Sequence, residues 1–265
     1  MHPPAAKLPT DDIDIRGVTR TFSVGAKQVY ALRDVSLECA AGSFTALIGP
    51  SGCGKSTLLR SIAGLEQPDS GSVLIGGQTP QEKCRLGALG VAFQDSALLP
   101  WRSVRQNIAL PLQVLKRMTA GAHEKIDQLI ELVGLRGFEN ARPAQLSGGM
   151  RQRVAIARTL VTDPSVLLMD EPFGALDQIL RRSMNIELQR IWMENRATTL
   201  LVTHGIDEAL FLADRVAVMH RDPGRIAHLV EIPFARPRLP QLFSAAEFHE
   251  LEDEIAAYLY GGAAA

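Results

Sequence analysis

The stretch GPSGCGKST, Gly49 to Thr57, gathers glycines, a lysine and hydroxyl side chains into one short segment. Its spacing fits G-x-x-x-x-G-K-[ST], the P-loop, a segment suited to holding phosphate. Glycines let successive backbone N–H groups converge on phosphate oxygens, and a helix N-terminus adds partial positive charge. The nucleotide ligands expected here are Gly49, Pro50, Ser51, Gly52, Cys53, Gly54, Lys55, Ser56 and Thr57. Lys55 supplies a point charge for the β- and γ-phosphates, and the Ser56 hydroxyl can ligate Mg²⁺. Cys53 occupies a variable position and reads as a small filler rather than a reactive thiol.

A second segment, SVLLMDEPF from Ser165 to Phe173, is an apolar run ending in two acids. Such a run delivers Asp170 to the edge of a sheet, where it can make a further Mg²⁺ contact. Glu171 then faces the side on which an attacking water must be oriented. Read alone, the segment could equally be a strand meeting a solvated acidic turn. Other residues are weak signals individually. His204 ends the apolar run TTLLVTH, where a lone histidine is commonly structural. Gln94 follows LGVAF and is an ordinary polar residue by itself. Asp177 in GALD could be only a helix cap. The stretch LSGGMRQR, 146 to 153, is a capped basic helix start that also looks built for phosphate, although the chain already has a P-loop.

These residues need elements to place them. SFTALIG (43–49) predicts a buried strand and STLLRSIAGL (56–65) a helix, the context that a P-loop requires. Short strands are expected between Ile13 and Leu37 as an antiparallel sheet, and again at SVLIGG and LGVAFQ. Between Ser103 and Ala144 the pattern turns helical. Ile126, Leu129, Ile130 and Val133 recur at helical spacing, and Gly134 is placed to end that helix. SVLLMD, TTLLVTH and RVAVMH then alternate with two helical patterns, which implies a mainly parallel sheet covered on both faces. A last helix is expected at AAEFHELEDEIAAYLY. The division read from these patterns is a disordered lead-in over 1–12, an α/β domain over 13–235 with a helical insertion about 103–150, and a helical tail over 236–265.

Composition sets outer limits. The chain has 265 residues, 46% hydrophobic and 22% charged, with net charge −1. This is ordinary for a globular protein and gives no bulk attraction to nucleic acid or anionic lipid. No apolar run reaches the roughly 18 residues that a membrane-spanning helix needs. The first residues lack the apolar core of a secretory signal. Cys39, Cys53 and Cys84 are scattered and suggest neither a disulfide framework nor a zinc pattern.

In their joint order the motifs resemble the ATP-binding subunits of ABC transporters. P-loop (49–57), Gln94, LSGGMRQR (146–153), MDEP (169–172), ALD (175–177) and His204 follow the family's sequence, and the likeness covers about Ile13 to His220. It implies a P-loop NTPase core with a mainly parallel sheet, an antiparallel β subdomain on the N-terminal side and an inserted α-helical subdomain. It also implies ATP and Mg²⁺ as cofactors, with Ser56, Gln94 and Asp170 at the metal. By resemblance Glu171 orients the water, His204 contacts the γ-phosphate, and Phe22, or less readily Tyr30, stacks on adenine. Two subunits would face each other, so that Ser147, Gly148, Gly149 and Gln152 cap the partner's ATP and Asp177 shapes the contact. Gly205 is a departure, because many relatives carry Asp after the histidine.

The resemblance implies a homodimer with two transmembrane permease subunits and a separate solute-binding protein, held at the cytoplasmic face of the inner membrane. ALLPW (97–101), RDPGRI (221–226) and the closing FHELEDEI (248–255) are similar to the importer branch for taurine, aliphatic sulfonates and nitrate. Taurine or another aliphatic sulfonate is the leading expectation, with nitrate as the alternative. Leu98, Leu99, Pro100 and Trp101 read either as packing under the helical block or as a docking surface. An ABC exporter shares the same nucleotide motifs. A soluble ABC ATPase acting on DNA or ribosomes would usually show paired nucleotide domains, a long coiled coil or zinc cysteines. A non-catalytic module is disfavoured by the presence of both Glu171 and His204.

Overall fold

A computed structural model describes residues 10–25, 27–174 and 176–261. The chain opens with two long strands, β1 (Ile13–Val24) and β2 (Lys27–Cys39), then β3 (Phe44–Ile48), the P-loop and helix α1 (Lys55–Ile62). Next come β4 (Ser70–Ile75), α2 (Pro80–Arg85) and β5 (Leu89–Ala92). Helices α3 (Val104–Val114), α4 (Ala120–Leu132) and α5 (Gly148–Leu160) lead to β6 (Val166–Asp170) and α6 (Gln178–Asn195). The chain continues through β7 (Thr198–Val202), α7 (Ile206–Leu212), β8 (Arg215–His220), β9 (Arg225–Glu231) and α8 (Ala246–Gly261).

Two sheets form. One is antiparallel, in the order β2-β1-β4. The other has the order β5-β6-β7-β3-β8-β9 and is parallel except for β9, which runs against β8 at the edge. The α/β class and the mainly parallel sheet are therefore as the alternation implied. Two features escaped it. SVLIGG, expected as a strand with no sheet assigned, joins the antiparallel sheet, and β9 was not expected.

Strand side chains alternate between faces, and the central sheet uses both. Phe44, Ala46 and Ile48 of β3, with Leu167 and Met169 of β6, pack into the core shared with helices α3 to α8. Leu47, Val166 and Leu168 point the other way, into a core with α1 and the antiparallel sheet. Being buried on both faces explains why these strands read as continuous apolar runs.

Local signals set several helix limits. Ser103 and Gln106 form a reciprocal capping box at the start of α3, as Thr79 and Glu82 do for α2. Gly134 follows α4 with φ of 64°, the left-handed conformation that favours glycine at a helix end. The expected disordered lead-in lies mostly outside the described residues, but its last part is ordered. Asp11 pairs with Lys83 at 2.6 Å and accepts from the Ser165 hydroxyl at 2.6 Å. At the other end α8 folds back, burying Phe248 and Ile255 in the same core as Phe211.

The two sheets meet beneath the P-loop. An added Cβ at Gly54 would lie 2.4 Å from the Ala31 carbonyl oxygen. At Gly224, in the turn before β9, it would lie 2.1 Å from the same oxygen and 2.4 Å from that of Cys53. The Arg33 N–H donates to the Gly224 carbonyl at 2.9 Å. Strand β2, the P-loop and the β8–β9 turn are thus in backbone contact. Gly224→Ala should cost about 1–3 kcal/mol of stability by overpacking and weaken ATP binding as the loop is displaced. Urea unfolding and ATP titration check this; unchanged stability and affinity would contradict it.

Candidate functional site

The P-loop leaves the carboxyl end of β3, Asp170 and Glu171 leave β6, and His204 leaves β7. These strands are adjacent in the order β6-β7-β3, and β5, which precedes Gln94, flanks β6. Parallel strands present their carboxyl ends along one edge, where open α/β sheets bind ligands. One cleft of about 390 Å³ results, lined by Phe22, Ala31, Ser51, Gly52, Gly54, Lys55, Ser56, Thr57, Gln94, Glu171 and His204. Tyr30, the other candidate for adenine, does not line it. The nearly buried Lys55 donates to the carbonyls of Gly49 at 2.8 Å and Pro50 at 3.2 Å, which places its charge within its own loop. Gly49 is tight as well, since an added Cβ would lie 2.6 Å from the Met219 carbonyl oxygen.

Ser56 Oγ lies 3.2 Å from Asp170 Oδ1, so the hydroxyl that ends the P-loop meets the acid that ends β6. Glu171 follows with φ of 48°, an uncommon conformation for a non-glycine residue and one that tends to persist at functional sites. Both of its carboxylate oxygens are engaged. Oε1 is 2.5 Å from His204 Nε2, and Oε2 accepts from the Gln94 amide at 3.2 Å. A carboxylate held by two side chains from two different strand ends has its direction fixed, as a base that orients water requires. Burial raises the Cys53 thiol above its ordinary value, which suits a filler rather than a nucleophile.

The remaining expected residues are not in this cleft. Ser147 and Gly148 are exposed at the start of α5, where Ser147 accepts from the Met150 N–H at 3.3 Å. Gly149 packs closely on Leu176; an added Cβ would lie 2.6 Å from its Cδ2. Asp177 caps α6 through the Leu180 N–H at 2.9 Å, the plainer of its two readings. Ala175 of the ALD motif lies outside the described residues. Gln152 differs from expectation. It is buried, and its amide donates to the Phe93 carbonyl at 3.2 Å, so it braces the segment before Gln94 instead of facing outward. Arg158, also on α5, holds the stretch just after Gln94 through the carbonyls of Ser96 at 2.7 Å and Ala97 at 3.0 Å.

Trp101 is 66% exposed and therefore does not pack under the helical block. The loop carrying it is nevertheless firm. Fully buried Asn107 accepts from the Leu99 N–H at 2.9 Å and donates to the carbonyls of Arg102 at 3.1 Å and Ser103 at 3.0 Å. The space beside Gly205 is taken by Asp207, whose Oδ1 would lie 2.9 Å from an added Cβ.

Sequence reasoning missed Glu208. It is buried on α7, and burial pushes its carboxyl up to about 7, with Asp207 and Glu171 adding to the rise while Thr203 and Arg181 oppose it. Its position in the first turn of a short amphipathic helix gave no hint of burial. The folded chain therefore retains a proton that the unfolded chain releases above its ordinary 4.5. The resulting stabilisation is complete below that value and is lost as pH rises through about 7. Glu208→Gln cannot ionise, so its melting temperature should gain on the parent's between about pH 4.5 and about pH 7 and the difference should level off above that. A difference that stays constant with pH would contradict this.

Comparison with known proteins agrees with the geometry. A family model described as ABC transporter matches residues 32–174. The nitrate import ATP-binding protein NrtD of Synechococcus elongatus is 45% identical over 97% of this chain and 94% of its own. The aliphatic sulfonates import ATP-binding protein SsuB of Bacillus licheniformis is 44% identical over 87% of this chain and 89% of its own. Among solved structures, a dimeric ATP-binding cassette in a post-hydrolysis state, bound to ADP and Pi, superposes with a TM-score of 0.77 at 32% identity. That match covers 84% of this chain and all of the other. The chain belongs to the ABC transporter family, as an ATP-binding subunit whose hydrolysis of ATP is coupled to transport.

Proposed function

We propose that this subunit powers an importer for a small oxyanion, an aliphatic sulfonate or nitrate. The observation that carries the reading is the likeness to sulfonate and nitrate import subunits across most of their length and of this chain. Sulfonate has support from several relatives carrying that name. Nitrate has support from the NrtD match, which spans 97% of the chain.

In the proposed mechanism the P-loop N–H groups and Lys55 hold the β- and γ-phosphates. Phe22, at the rim of the cleft, stacks on the base. Ser56 Oγ and Asp170 Oδ1 are hard oxygen donors 3.2 Å apart, a fit for Mg²⁺, and Gln94 lines the same cleft. When bound, the ion neutralises charge building on the phosphate oxygens. Glu171 orients water and accepts its proton, while His204 and Gln94 fix the carboxylate between them. His204 also reaches the γ-phosphate.

The signature turn of Ser147, Gly148 and Gly149 lies at an exposed helix start outside this cleft, which supports its serving the ATP of a second copy. Such pairing is isologous: each copy gives a P-loop to one nucleotide and a signature turn to the other. Asp177 heads α6, directly after Leu176, whose side chain packs on Gly149 of that turn. The exposed Trp101 loop supports docking on a transmembrane permease subunit. The whole assembly is two such ATPases, two permease subunits and a separate solute-binding protein, with this chain at the cytoplasmic face of the inner membrane. No helix among the described residues is long and apolar enough to cross a membrane, so attachment there falls to the permease contact.

The solute does not meet this subunit in that arrangement, so transport identifies it. A strain whose only copy carries Lys55→Ala should lose growth and labelled uptake on one of taurine, a simple alkanesulfonate or nitrate. Normal growth on all three would contradict the sulfonate and nitrate reading.

A further inference from the structure

His204 is carried by a short turn between β7 and α7, and that turn is fastened from below. The Thr203 N–H donates to the Leu47 carbonyl at 3.2 Å, which ties the turn to β3. The Gly205 N–H donates to Thr203 Oγ1 at 3.0 Å. The same hydroxyl donates its own proton to Glu208 Oε2. Thr203 and Glu208 are each only 4% exposed, while the His204 side chain between the two flanks is 47% exposed. The residues on both sides of the histidine therefore converge on one buried carboxyl. Among the described residues the Glu208 Oε1 is buried and unpaired, so its one hydrogen bond is the one from Thr203. An unpaired buried oxygen is costly.

We propose that Glu208 is a positioning residue for ATP hydrolysis, acting through the Thr203 hydroxyl to hold the turn that presents His204 to Glu171. The inference rests on the role proposed above for His204. Glu208 does not line the cleft that Lys55, Glu171 and His204 share. Its loss should misplace His204 and leave the P-loop intact, because no hydrogen bond of Glu208 reaches residues 49–57 in the described structure. The signature is a fall in kcat without a matching change in KM for ATP.

The test compares steady-state ATPase activity of the full chain with that of Glu208→Ala, Glu208→Gln, Thr203→Val and His204→Ala, with melting temperatures alongside. Glu208→Ala should lower kcat about tenfold or more, with KM within about threefold, since small displacements of a catalytic group are costly. Glu208→Gln keeps an oxygen acceptor for Thr203 and should recover kcat to within about threefold of the parent. Thr203→Val keeps the side-chain shape, removes the link and should reproduce the Ala loss; it carries the test if Glu208→Ala does not fold. A folded Glu208→Ala or Thr203→Val with parental kcat would overturn the proposal, as would a Gln variant no better than Ala. If His204→Ala loses activity while Glu208→Ala does not, only the role of Glu208 falls. An active His204→Ala overturns both.

Discussion

The structure depends on one steric constraint: the P-loop backbone is clamped where no Cβ fits. Gly49 lies against Met219, and Gly54 and Gly224 lie against the Ala31 carbonyl from two sides. Loop, antiparallel sheet and the β8–β9 turn can approach this closely only because those positions lack side chains. The clamp fixes the direction of the loop's N–H groups before any phosphate arrives. Preorganisation of that kind lets a backbone dipole stabilise charge without reorganising. It also explains why the edge strand β9 matters to the site, although it supplies no residue to the cleft.

From that fixed loop the catalytic edge is assembled by strand order. Three neighbouring parallel strands and a flanking fourth end at the same level, so Lys55, Glu171, His204 and Gln94 meet although they are distant in sequence. Glu171 is the meeting point, with one oxygen toward the histidine and the other toward the glutamine. The segment carrying Gln94 is in turn braced by Gln152 and Arg158 of the signature helix. Hydrogen bonds thus connect the signature helix to the segment whose Gln94 holds the Glu171 carboxylate. Local charge change at a nucleotide is converted to domain motion by contacts of this sort.

The parts legible in the sequence were those with a local physical cause. A P-loop needs a strand before it and a helix after it, and both are written in SFTALIG and STLLRSIAGL. Asp170 and Glu171 could be placed because an apolar run announces a buried strand and acids mark its end. Gly134 stops α4 for a reason visible in one residue. What could not be read was set by partners far along the chain. SVLIGG reads as a strand, but nothing in its own residues says that its partner is β1. Gln152 looks like an outward polar residue of a basic helix, but the carbonyl it satisfies is Phe93, 59 positions earlier. Glu208 and Gly224 owe their importance to burial and close approach, which have no signature in a single sequence.

The central claim is that the P-loop and the signature turn complete one another across two copies of the chain. Glu171→Gln should keep ATP bound but block its hydrolysis, holding the two copies together. Light scattering of that variant at saturating ATP and Mg²⁺ is the most direct measurement. The account predicts a mass twice that of the monomer, reverting when ATP is withdrawn. A variant that binds labelled ATP and stays monomeric would contradict the shared site.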